Sequence, residues 1–129
     1  MIQRIILALS ILLSAIPAWA ATHTMSACSS SAFDTAYANA NSGDTIQWPA
    51  GSCNVTWSSR KTLAKTNLTI KGYGPTTSKV SGNSIFSADQ TANGLRIEGI
   101  GFEGGTSGQY LAFESTDQSN GTRSIENLV

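Results

Sequence analysis

Three short stretches restrict the fold of this chain more than any other feature. Thr69-Ile70-Lys71-Gly72-Tyr73, Arg96-Ile97-Glu98-Gly99-Ile100 and Ser124-Ile125-Glu126-Asn127-Leu128 share one order of residue types: polar, isoleucine, charged, Gly or Asn, then large apolar. Their isoleucines are 27 and 28 residues apart, and Ile46 lies 24 residues before the first. A second column has Phe86 and Phe113 27 residues apart, with Asp89 and Asp117 at nearly the same interval. A period of 20 to 50 residues signals a repeat architecture in which each unit buries its apolar edge against the next.

The chain between these stretches supplies the type of unit. Ile46 and Trp48 alternate with polar neighbours, as do Cys53, Val55 and Trp57, and Gly, Asn, Ser and Pro break the runs. Such short alternating runs are strand signals, compatible with a sandwich, a barrel or a solenoid. The repeat without a repeated helix favours a β-solenoid. Stacking units about 4.8 Å apart would line up the isoleucines as an interior column, and would put Gly72, Gly99 and Asn127 at corners that need left-handed backbone. Lys71, Glu98 and Glu126 would form an outward column.

One helix is expected, over residues 31 to 41. Phe33, Ala36, Tyr37 and Ala40 recur on one helical face, Asp34 follows Ser31 as in a capping box, and Asn41-Ser42-Gly43-Asp44 ends the run. Its expected role is to close the apolar first unit of the solenoid.

Residues 1–20 read as an export signal. Arg4 precedes a mostly apolar run from Ile5 to Ile16, and Ala18-Trp19-Ala20 offers the small-x-small pattern of a signal-peptidase site, with cleavage before Ala21. The run is shorter than the ~20 residues that span a bilayer. Residues 21–30 read as a flexible polar leader and 31–129 as the helix and first units. The expected location is secreted, periplasmic or cell-surface, with no membrane attachment after cleavage. In such an oxidising compartment an even cysteine count favours a bond, here Cys28 to Cys53, closing about 25 residues and contributing ~3 kcal/mol.

Loss of Arg4 leaves seven Lys and Arg against eight Asp and Glu. That balance argues against a nucleic-acid partner, which selects a basic face, and against adhesion to anionic lipid. Two cysteines and His23 make a poor metal-ligand set, so no cofactor is expected in this segment.

Ala36-Tyr37-Ala38-Asn39-Ala40-Asn41-Ser42-Gly43-Asp44-Thr45-Ile46-Gln47-Trp48-Pro49-Ala50-Gly51, followed by Leu68-Thr69-Ile70-Lys71-Gly72-Tyr73-Gly74, resembles the opening of the pectin-lyase-like superfamily. Leu95-Arg96-Ile97-Glu98-Gly99-Ile100-Gly101-Phe102 looks like a further unit of that type. The resemblance implies an all-β, right-handed parallel β-helix with an N-terminal capping helix. It also implies an N-terminal segment of a secreted protein that binds, or binds and cleaves, a polysaccharide or cell-surface glycan, as a lyase or glycosidase with its catalytic units beyond residue 129. The alternative is a non-catalytic adhesin that binds glycans or proteins. The superfamily's lyases often use Ca²⁺, which belongs here to a full-length protein. Ending inside an expected strand, the sequence suggests a fragment, or self-association through an open C-terminal unit.

The residues themselves identify no reaction. Glycoside hydrolysis needs two carboxylates at a set separation, and the candidates are Asp89 with Asp117 and Glu98 with Glu126. Each pair also suits a solvated turn or face. Arg96 and Arg123 are the residue types of a lyase base, and Tyr73 or Tyr110 could stack on a sugar. Asn54, Asn67 and Asn120 begin glycosylation sequons that equally suit β turns.

Overall fold

The structure, a computed structural model, describes residues 19–82, 86–89 and 91–104, with the backbone of Leu111–Phe113 and Ser124–Glu126. In chain order the elements are β1 (Thr22–Thr24), α1 (Ser30–Asn39), β2 (Thr45–Gln47), β3 (Cys53–Trp57), β4 (Lys61–Leu63), β5 (Thr69–Lys71), β6 (Ser78–Gly82), β7 (Phe86–Ala88), β8 (Arg96–Glu98), β9 (Gly101–Gly104), β10 (Leu111–Phe113) and β11 (Ser124–Glu126). The strands form three sheets, ordered β1-β2-β5-β8-β11, β10-β7-β4 and β3-β6-β9. Every described pairing is parallel.

The repeated stretches pair with one another. Ile46 faces Ile70, Ile70 faces Ile97 and Ile97 faces Ile125 in strand register. In β2, β5 and β8 the middle side chain is the one turned inward, since alternate side chains leave opposite faces. Ile46, Ile70 and Ile97 are accordingly buried, each contributing roughly 1.5–3 kcal/mol. In β3 the alternation predicted from sequence buries Cys53, Val55 and Trp57 and exposes Asn54 and Thr56.

The all-β solenoid expected from the repeats, with a helix that only closes its end, is corrected. Among the described residues the chain is a small mixed, strand-rich fold of short parallel strands in three sheets and one helix. The physical reason lies in α1, which sends Ala32, Phe33 and Ala36 into the core that the strands share. Phe33 makes ring contacts with Trp48, Trp57 and Phe86 at centroid separations of 5.9, 5.1 and 5.7 Å. An aromatic in that position makes the helix part of the core.

The helix also starts and ends differently from the sequence reading. Its N-cap is Ser29, whose Oγ accepts from the Ala32 N–H at 3.2 Å, and its last residue is Asn39. Asp34 takes no part in a capping box and instead meets Lys61 Nζ at 2.7 Å. Residues 22–24, read as part of a polar leader, form β1, which pairs with β2. Behind them Met25 is buried in the core.

Two further readings are revised. Phe86 pairs with Leu111, and Phe113 pairs with Ala88, so the two phenylalanines do not share a column. Gly99 does adopt left-handed backbone, at φ 64°, but Gly72 is required by crowding instead. A Cβ on Gly72 would lie 2.1 Å from the Gly99 carbonyl oxygen and 2.6 Å from Ile100 Cδ1. Asn127 lies outside the described residues.

Candidate functional site

The outer face of the β3-β6-β9 sheet carries a compact set of polar groups. Register places Asn54 beside Lys79, and Thr56 beside Ser81 and then Glu103. The Thr56 and Ser81 hydroxyls are 2.9 Å apart. Lys79 Nζ lies 2.5 Å from Glu103 Oε1, and Asn54 Nδ2 donates to Glu103 Oε2 at 3.3 Å. Their inward neighbours Val55 and Val80 are fully packed, which fixes the backbone from which the polar side chains project.

Two shallow depressions flank Lys79. One, of about 320 Å³, is lined by Ser52, Cys53, Asn54, Thr76, Thr77 and Lys79. The other, of about 190 Å³, is shared by Pro75, Thr76, Lys79, Gly101, Phe102 and Glu103. Hydroxyls, an amide and one ion pair share these walls with apolar surface, a mixture that suits a ligand with both hydroxyl groups and C–H faces.

Tyr73 stands two residues before the Pro75-Thr76-Thr77 turn that borders both depressions. It is 56% exposed, an unusual state for so large an apolar body. Its backbone is held, because its N–H donates to the Oγ of fully buried Ser78 at 2.9 Å. A fixed main chain thus presents an accessible ring, one of the two, with Tyr110, that the sequence offers for stacking on a sugar.

A second cluster, unforeseen in the sequence, gathers around Asp44 at the start of β2. Its Oδ2 accepts from the Asn41 N–H at 2.7 Å and lies 3.0 Å from His23 Nε2, while its Oδ1 accepts from the Ala21 N–H at 2.8 Å. Donation from the Asn41 N–H, then from Ala21 and His23, holds the carboxyl well below its ordinary value, to about 2, against the opposing effect of burial. Asp44 therefore fastens β1 to the α1–β2 turn. A Gly-Asp pair after a helix signals an Asp-stabilised turn, but nothing in the sequence couples it to His23, 21 residues away.

Of the carboxylates proposed from sequence, Glu98 and Glu126 are brought into register on neighbouring strands, whereas Asp89 follows a strand of another sheet. Asp89 follows β7 and uses Oδ1 to accept from the Thr91 N–H at 3.1 Å, a local turn contact. Glu98 sits on β8 in register with Glu126 on β11, and its Oε2 is 3.9 Å from Arg96 Nη2. Asp117, Tyr110, Arg123 and Asn120 lie outside the described residues. Of the other sequon asparagines, Asn54 is on the polar face and Asn67 adopts left-handed backbone at φ 54°.

Cys28 and Cys53 are joined, with their Cα atoms 5.5 Å apart. The bond ties the segment before α1 to the start of the polar-faced sheet. Among the described residues there is no group of three or more His, Cys, Asp or Glu side chains arranged to hold a metal ion. No helix among them is long and apolar enough to cross a membrane. No protein-family model, curated protein or solved structure matches the chain.

Proposed function

We propose that this is an extracellular glycan-binding protein that takes a hydroxyl-rich polysaccharide on the β3-β6-β9 face, with Tyr73 as its stacking platform. The carrying observation is the exposed Tyr73 ring on a pinned backbone, two residues before the turn that borders the two depressions. A sugar presents an apolar C–H face, which an aromatic ring covers, and a rim of hydroxyls, which amide, hydroxyl and charged groups recognise. Asn54, Thr56, Lys79 and Ser81 supply the second kind of contact from strands, where little ordering entropy remains to be lost on binding. The near-balanced charge suits a neutral or weakly acidic polymer, and the disulfide accords with an oxidising exterior.

This reading assigns binding and leaves cleavage out, because Asp89 is engaged in its own turn and Glu98 faces Arg96. The experiment is affinity electrophoresis of the secreted protein through a panel of neutral and acidic polysaccharides, followed by calorimetry on any that retard it. Tyr73→Ala should weaken binding at least tenfold, about 1.4 kcal/mol, with thermal unfolding unchanged. Retardation that is the same for the variant and the parent protein would remove Tyr73 and this face from the reading. Release of reducing ends would establish turnover instead.

A further inference from the structure

We propose that hydrolysis of the Ala20–Ala21 peptide bond does more than release the export signal: it creates an α-ammonium group at Ala21 that pairs with Asp44 and locks the first strand in place. The inference rests on residues 1–20 being an export signal. It adds a role for the new chain end.

The Ala21 nitrogen already lies 2.8 Å from Asp44 Oδ1, a hydrogen-bond distance at which an ammonium would form a charge-assisted bond. The Ala21 carbonyl simultaneously accepts from the Thr45 N–H at 2.8 Å, so the residue is held from both sides. Immediately after it, β1 runs in register with β2, and Met25 N–H donates to the Gln47 carbonyl at 2.9 Å. Ala20 and Trp19, by contrast, are exposed and belong to no strand, with Trp19 85% accessible. The bond to be cut is thus open to a protease, while the residue just beyond it is anchored.

In the cleavage a signal-peptidase-type protease directs water onto the Ala20 carbonyl carbon. The C–N bond breaks, water's oxygen stays on Ala20 as part of a carboxylate, and water's two protons convert the Ala21 N–H into –NH₃⁺, so atoms and charge balance. Asp44 is only 5% exposed. Of titratable side chains His23 on β1 lies 3.0 Å from it, and Lys65 directs its ammonium to the Tyr37 and Ala40 carbonyls at the end of α1. Lys65 is thereby engaged at the end of α1, and the Ala21 nitrogen meets Asp44 Oδ1 while His23 meets Oδ2. Before cleavage Ala21 offers one neutral N–H; afterwards it offers a full charge with three donors.

The test uses the full chain expressed with its own export signal. Intact mass and N-terminal sequencing locate the first residue, and pH-dependent acetylation by acetic anhydride, read by mass spectrometry, gives the α-amine titration. The expected result is a chain beginning at Ala21 whose amine titrates roughly one unit above the ordinary ~8. Asp44→Asn should return it to about 8. A variant with one alanine inserted between Ala20 and Ala21, exported with that alanine as its first residue, should do the same with Asp44 intact, which covers the case in which Asp44→Asn fails to fold. A chain starting elsewhere overturns the export reading. A chain starting at Ala21 with an ordinary amine titration leaves export standing and overturns the lock.

Discussion

Phe33 on α1 meets Trp57 on β3 edge to face, with centroids 5.1 Å apart and planes at 65°. The contact joins the one described helix to the sheet that carries the polar face. Phe86 completes the cluster, 4.8 Å from Trp57 and 5.7 Å from Phe33. Phe33→Ala should therefore cost roughly 3–5 kcal/mol, from lost transfer energy and the cavity left among rings that cannot collapse. Phe33→Leu should cost far less. Urea unfolding followed by tryptophan fluorescence measures both, and similar losses for the two would show that α1 only covers the strands.

The Cys28–Cys53 bond spans 25 residues and encloses α1, β2 and the turn into β3. Restricting a loop of that size in the unfolded chain is worth about 3 kcal/mol. Cys28→Ser paired with Cys53→Ala should lower stability by about that amount and, because Cys53 borders the larger depression, loosen one wall of the polar face. Denaturant melts of the oxidised and double-variant proteins give the first quantity. Polysaccharide affinity gives the second.

Asp44 sets an acid limit. Its carboxyl is held near 2 in the folded chain against an ordinary 3.8, so around pH 3 the unfolded chain binds more protons. The stability it contributes is fully present above about pH 4 and is lost as pH falls through about 2. The expected loss is roughly 1–2 kcal/mol, with solvent screening near edge strand β1 favouring the lower end. Asp44→Asn should flatten this part of a stability-versus-pH curve measured by urea unfolding from about pH 2 to 6. An unchanged slope in the variant would assign the acid sensitivity to another carboxylate.

The parts legible in the sequence are those with a repeating side-chain signal. Ile46, Ile70 and Ile97 announce their register because parallel strands set like residues side by side, and Cys53, Val55 and Trp57 announce a half-buried strand by alternation. β1 carries no such signal. Thr-His-Thr has no apolar residue to mark a buried face, and its place is fixed by Asp44 and by backbone bonds to β2. Spacing alone misaligns the Phe86 column because the connections between successive strands differ in length, so equal intervals in sequence do not guarantee pairing. Tyr73 is visible as a candidate, but its exposure depends on a turn whose shape residue types alone leave open.

Gly72 and Gly43 separate two reasons for needing glycine. Gly43 has φ +91° and nothing within 4 Å of where a Cβ would stand, so alanine there meets only backbone strain, about 1–2 kcal/mol. Gly72 needs no positive φ, but an added Cβ would sit 2.1 Å from the Gly99 carbonyl oxygen and 2.6 Å from both Ile100 Cδ1 and Ser78 Cβ. Backbone on the neighbouring strand cannot swing aside like a side-chain tip, so β5 and β8 would have to separate where Ile70 and Ile97 pack. Gly72→Ala should cost more than about 3 kcal/mol, beyond the usual range for overpacking, and should also disturb Tyr73 through its bond to Ser78. Paired denaturation curves of the two variants decide the point: a Gly72→Ala protein no less stable than Gly43→Ala would mean that the two strands do not approach as closely as their register implies.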